Sequence, residues 1–223
     1  MQAIETTQTK PSEGSARPKG TRRKQADIRA FRRSSLLRAA LVTVGEFDIE
    51  GATVARICAR AGASRGLISH YFSSKEDLLL AALSGLFDEA QTLKEEVAAD
   101  QSLSPIERIR RIAHCSFQDP IYSWEVAAAW QAFTNASRHN PAFRSAIRRS
   151  TQESVATVMP LFQELAAAEK LRSSPEDSAM GLFVLIDGLW NSLATGKDEL
   201  QPQQAITLCD IYLEGCLDTK TSK

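Results

Sequence analysis

Histidine is scarce in this sequence, and its three copies, His70, His114 and His139, stand far apart. No HExxH, GxSxG, P-loop or paired-carboxylate pattern accompanies them. Those patterns set a nucleophile, metal or phosphate beside the group that acts on it, so their absence disfavours hydrolase and transferase chemistry. No enzyme activity and no cofactor is expected. Cys58, Cys115, Cys209 and Cys216 lack CxxC spacing and lack histidines at zinc-finger distance. They read as small buried apolar residues of a reducing compartment, with neither metal nor disulfide. No apolar run approaches the roughly 20 residues needed to cross a bilayer. The first twenty residues carry no apolar signal core, and a cytoplasmic, membrane-free protein is expected. Alternating strand patterns and Asn-Gly hairpin signals are also missing.

Net charge is zero, but it is unevenly spread. Residues 1–77 hold 14 Lys and Arg against 8 Asp and Glu; residues 78–223 hold 13 against 19. A basic head on an acidic body suits a protein that reads nucleic acid with one part and keeps the other away from it. A merely solvated charge run is the alternative, and charge alone does not separate the two.

Residues 1–25 are polar, rich in Ser, Thr, Gly and Pro, and end in Arg17, Lys19, Arg22, Arg23 and Lys24. They are expected to form a disordered basic arm. From Ala26 the period turns helical: Leu37, Ala40, Leu41 and Val44 mark one buried face, with Gly45 and the following EFDIEG ending the helix. Later breaks fall near Ser102–Pro105, Asp119–Pro120, Asn140–Pro141, Ser173–Pro175, Gly196 and Gln201–Pro202. Proline fits the first turn of a helix, so each such pair marks a helix start. The expected class is all-α, with about nine helices.

Residues 53–72, TVARICARAGASRGLISHYF, read as two short helices joined by a glycine turn. Thr53 caps the first, Gly62 ends it in the left-handed conformation, and Ser64 caps the second. Val54, Ile57, Ala61, Ile68 and Phe72 then point inward, while Arg65, Ser69, His70 and Tyr71 point outward or to the flank. This is helix-turn-helix spacing, with an arginine placed to reach guanine O6 and N7 in a major groove. Taken singly, Arg65 is an ordinary exposed arginine, His70 a surface histidine and Tyr71 a core residue; the combination points to DNA. Next, Ser73 with Glu76 or Ser74 with Asp77 opens a further helix, with Lys75 beside its backbone N–H groups as a phosphate clamp.

The stretch from about Arg33 to Leu83 closely resembles the TetR family in its G-A-T-V-x-x-I, A-G-A-S-x-G-x-I-x-x-Y-F and S-K-E-D-L-L blocks. The resemblance implies a DNA-binding domain over 26–84 and a helical ligand-sensing, dimerising domain over 85–223. It implies phosphate contacts at Thr53 and Lys75, and it places Ser64, Arg65, Gly66, Ser69, His70 and Tyr71 on the recognition helix. Cys58 stands where the family usually has Ala. A homodimer on palindromic double-stranded operator DNA is the implied partner arrangement.

Residues 180–194, MGLFVLIDGLWNSLA, are apolar nearly all round and must bury two faces, one on its own core and the other against a second subunit, the alternative being the central helix of a monomer. Ile206, Cys209, Tyr212, Leu213 and Leu217 give the last helix another apolar stripe. The blocks AAAWQAF (127–133), HNPAFR and LIDGLW (185–190) resemble the choline-responsive BetI branch, with departures at Thr134 and after Trp190, at Asn191-Ser192. That resemblance brings Tyr122, Trp124, Trp130, Phe133, Trp190 and Asn191 to a pocket. Its aromatic faces would attract a quaternary ammonium effector, choline or its aldehyde, with Glu125 or Asp187 as counter-charge. The alternatives are that the aromatics simply fill a core, or that a neutral or anionic metabolite is the effector. An architectural DNA-binding protein would not need so large an apolar body.

Overall fold

The computed structural model describes residues 19–196 and 200–218, with side-chain environments from Asp27 onward. Among the described residues the regular elements are nine helices: α1 Lys19–Gly51, α2 Val54–Ala61, α3 Arg65–Tyr71, α4 Lys75–Ala99, α5 Pro105–Cys115, α6 Trp124–Ala136, α7 Pro141–Ala167, α8 Pro175–Thr195 and α9 Pro202–Cys216. A lone bridge pairs Leu171 with Leu217. The all-α expectation holds.

Helix starts follow local chemistry closely. The Ser104 hydroxyl accepts from Glu107 N while the Glu107 carboxylate accepts from Ser104 N, a reciprocal cap ahead of Pro105. Asn140, Ser174 and Gln201 likewise precede Pro141, Pro175 and Pro202 at the starts of α7, α8 and α9. Asp119–Pro120 does not start a helix; it lies in the connecting turns, and α6 begins only after the Ser123 cap.

Two expectations about α1 need correction. It begins at Lys19, not Ala26, because Thr21–Gln25 contain no helix breaker; the rest of the expected arm, 1–18, lies outside the described residues. Nor does Gly45 end it: the helix runs on to Asp48, whose φ of 63° and ψ of 175° kink the chain before a last turn to Gly51. Gly45 has a different reason to be glycine. A Cβ there would lie 2.1 Å from the backbone carbonyl oxygen of Glu125, at the start of α6.

The chain divides into two compact units, 1–34 and 35–223. In the second, one continuous core runs from Leu36 to Leu213. Within it α4 packs on α5 and α7, α8 on α6, α7 and α9, and α5 on α9. The domain boundary expected near residue 84 falls inside α4, which continues unbroken across it.

Candidate nucleic-acid interface and effector pocket

The segment 53–72 folds locally as its residues dictate. The Thr53 hydroxyl accepts from Arg56 N at 3.3 Å and the Ser64 hydroxyl from Leu67 N at 3.2 Å. Gly62 takes the left-handed conformation, φ 60° and ψ 34°, ending α2 and freeing the chain to turn into α3. Ile57, Ile68 and Phe72 are buried, and Thr53, Ser64, Arg65, Gly66, Ser69 and His70 are exposed. Tyr71 is half-buried, with its ring edge-on to His70. The α3 face thus offers one cation, small hydroxyls and a glycine to whatever lies outside.

Gly66 is informative here. Only Ser64 Oγ, at 3.9 Å, would meet a Cβ built on it, so no neighbour in the protein requires glycine. An exposed helical glycine costs about 1 kcal/mol relative to alanine. Its bare backbone suits close approach by a molecule outside the chain.

Lys75 opens α4, but its side chain is half-buried, and its Nζ donates to Ile49 O at 2.8 Å. It therefore caps the end of α1, with N–H groups left for a further contact. Neither expected capping box closes: the Ser74 hydroxyl caps α4 by accepting from Asp77 N at 3.0 Å, but the Asp77 carboxylate accepts from Ser73 N at 2.8 Å and not from Ser74 N. Glu76 Oε1 accepts from Asn140 Nδ2 at the start of α7, tying the head to the body.

The body contains a cavity, partly open to solvent, between α4, α5, α6, α7 and α8. Its mostly apolar wall with a few converging polar groups suits a small-molecule site. Trp130 and Trp190 line it with Phe87, Phe183 and Ile186. Phe87 stands edge-on to Trp130 with ring centroids 5.6 Å apart. Trp190 Nε1 donates to Ser116 O at 2.9 Å, which fixes the indole plane. Asp187 faces the same space, its carboxylate accepting from Trp130 Nε1 at 3.0 Å. Burial pushes the Asp187 carboxyl above the ordinary carboxylate range, against the opposing pull of that indole N–H.

The eight expected pocket residues do not all meet. Trp130, Asp187 and Trp190 line this cavity, and Tyr122 packs edge-on behind Trp190 at 6.0 Å. Phe133 is fully buried against Phe143, 5.1 Å away, as a core residue. Trp124 and Asn191 line a different cavity, against Val44–Asp48 of α1, and Glu125 contributes its backbone carbonyl to the contact with Gly45. Helix geometry explains the split: at about 100° per residue, six residues turn Trp124 about 120° away from Trp130. Asp187 and Trp190, three apart, stay on one face.

The sequence reading missed Phe87, Phe183 and Lys94. Lys94 carried a signal: with Leu86 and Ala90 it extends an i, i+4, i+8 apolar row, so a cation falls where the pattern calls for a hydrophobe.

A buried-core helical body joined to a helix-turn-helix defines a DNA-binding regulator with an internal pocket. Comparison with known proteins agrees. Residues 36–82 match the family described as bacterial regulatory proteins, tetR family, and residues 105–218 match BetI-type transcriptional repressor, C-terminal. The chain is 31% identical over 192 residues to the HTH-type transcriptional regulator BetI of Burkholderia mallei, covering 85% of this chain and 95% of that one. It is 31% identical over 189 residues to the BetI of Paraburkholderia phymatum, covering 84% and 93%. A transcriptional regulator from Saccharomonospora viridis, solved in complex with choline, shares the fold with a TM-score of 0.73 at 20% identity, covering 83% of this chain and 97% of that one. One from Pseudomonas aeruginosa superposes with a TM-score of 0.69 at 25% identity, covering 82% and 88%.

The chain belongs to the TetR family of transcriptional regulators, with a BetI-type C-terminal domain. It is a ligand-responsive repressor and not an enzyme. No helix among the described residues is long and apolar enough to cross a membrane.

Proposed function

We propose that the protein is a cytoplasmic homodimer that represses a palindromic operator of choline or glycine betaine metabolism and releases it on binding a small quaternary ammonium compound. The observation that carries the effector class is the desolvated Asp187 carboxylate set beside Trp130 and Trp190 in the cavity. A methylated ammonium cannot donate hydrogen bonds, so it is held by ring faces and a nearby negative charge, at about 0.5–2 kcal/mol per ring. The choline bound by the Saccharomonospora viridis protein supports the same class. On the DNA side, Arg65, Ser69 and His70 read bases, Ser64, Gly66 and Tyr71 shape the approach, and Thr53 and Lys75 hold phosphates. The head formed by 26–84 is coupled to the body formed by 85–223 through α4, which carries Lys75 at one end and Phe87 and Ala90 in the pocket wall. Release requires that the ligand prefer one position of α4, because equal affinity for both shifts nothing.

Tryptophan fluorescence titrated with choline, betaine aldehyde and glycine betaine, beside an operator mobility shift, tests this. Quenching and release by at least one of them, at millimolar concentration or below, are expected. No response to any of the three would overturn the quaternary ammonium assignment. The pH dependence has a defined sign. A bound cation favours ionised Asp187, whose carboxyl is raised in the free protein, so binding releases a proton and weakens as pH falls through that raised value. Choline affinity that stays flat as pH falls from neutral through the whole carboxyl range would remove Asp187 as counter-charge.

Gly66→Ala separates folding from DNA contact. It is expected to stabilise the protein by up to about 1 kcal/mol while weakening operator binding. A thermal melt beside a mobility shift measures both, and unchanged DNA affinity would show that the open face of Gly66 does not meet DNA.

A further inference from the structure

We infer that the effector pocket is two-ended, with an anionic subsite at Lys94 opposite the aromatic, acidic end, so that its ligand carries a carboxylate as well as a quaternary ammonium. This rests on the effector class proposed above and narrows it. Lys94 reaches the cavity from α4, and Ser150, Thr151 and Ser154 line the same wall from α7. The one hydrogen bond its ammonium makes among the described residues goes to Ser154 Oγ, at 2.9 Å. No carboxylate among the described residues lies within ion-pair distance of it. Burial brings its pKa from 10.5 to about 8, which leaves most of it charged at neutral pH.

A desolvated ammonium without a counter-ion is costly, and an apolar residue would tie α4 to α7 at less cost. The cavity holds a carboxylate of its own, Asp187, yet the two are not paired: Asp187 accepts from Trp130 and Lys94 donates to Ser154. Opposite charges that line one cavity without pairing suit a molecule that bridges them with its own charges reversed. The cationic end lies against Trp130, Trp190 and Asp187. The carboxylate end accepts from Lys94, whose remaining N–H groups and the neighbouring Ser150 hydroxyl supply the donors.

The test uses the full-length protein, with tryptophan fluorescence and calorimetry, and four probes. They are choline, 4-(trimethylammonio)butanoate, the methyl ester of that zwitterion, and 5,5-dimethylhexanoate, its uncharged-carbon counterpart. Wild type is expected to bind the zwitterion about tenfold or more tighter than its ester. Lys94→Met should erase that preference and leave choline within about threefold of wild type, while Lys94→Arg should keep part of the preference. A melting temperature for Lys94→Met at or above that of wild type shows that the loss is not unfolding. Equal binding of zwitterion and ester by wild type, or a preference that survives Lys94→Met, overturns the anionic subsite and leaves the quaternary ammonium reading standing. If 5,5-dimethylhexanoate binds as well as the zwitterion and is lost with Lys94→Met, the Lys94 subsite stands and the quaternary ammonium reading falls. Failure of all four probes to bind overturns both.

Discussion

Val184→Arg is expected to turn the proposed dimer into a monomer and to cut operator affinity about a hundredfold or more, since the second head would no longer bind as part of the same molecule. The reason lies on the outer face of α8 and α9. Met180 and Val184, four apart on α8, are 47% and 59% exposed, and Leu208 and Ile211 on α9 are 41% and 59% exposed. The two helices sit close enough to merge these rows, because Gly181 admits the Tyr212 ring: a Cβ there would lie 2.2 Å from the Tyr212 hydroxyl. That hydroxyl donates to Ser178 O at 2.9 Å, fixing the pair. A second copy placing the same face on this one covers both apolar rows about a two-fold axis. Arginine at 184 would then meet its own symmetry mate in a desolvated interface. Because Val184 points outward, the subunit fold should survive, with circular dichroism unchanged. Sedimentation velocity beside a mobility shift on a full palindrome measures the effect, and a variant that remains dimeric refutes this face as the interface.

Gly45→Ala should be damaging for so small a substitution. The added methyl would lie 2.1 Å from the Glu125 carbonyl oxygen, and the next nearest atoms are also Glu125 backbone. A flexible side chain could swing aside, but two helix backbones cannot, so α1 and the start of α6 must separate. Overpacking of this kind costs about 1–3 kcal/mol, or roughly 2–12 °C in melting temperature for a chain of this size. The site also joins the DNA-reading part to a helix of the pocket wall: α6 offers Glu125 to α1 and Trp130 to the cavity. The variant should therefore change the effector concentration that releases DNA as well as the melting temperature. A melt and effector-titrated mobility shifts on the same preparation check both, and a fully wild-type response in both would mean that this contact relaxes without strain.

How much of this was legible beforehand depends on the range of the interactions involved. Helix caps act over two to four residues, so Thr53, Ser64, Ser74 and Ser104 could be placed from local spacing, as could the left-handed turn at Gly62. The inward and outward faces of α2 and α3 follow from a 3.6-residue period applied to residues that touch their neighbours in the chain. The same locality misled at Gly45, where glycine serves an approach by residue 125 and not a turn in its own helix.

The pocket is the opposite case. Whether Trp124 or Trp130 faces it depends on how α6 is rotated against α8, and whether Leu189 or Val184 faces solvent depends on which side of α8 meets the core. Leu189 is 7% exposed and Val184 is 59% exposed, although both belong to one apolar run. Aromatic content alone also grouped Phe133 with the pocket, when Phe143 of α7 covers it in the core. Local sequence determined the all-helical class, the helix-turn-helix and the residues it presents. Tertiary packing decided the composition of the pocket, because it brings Lys94, Trp130, Ser154 and Asp187 together from four helices, and the rotation of each helix is set by all of its neighbours at once.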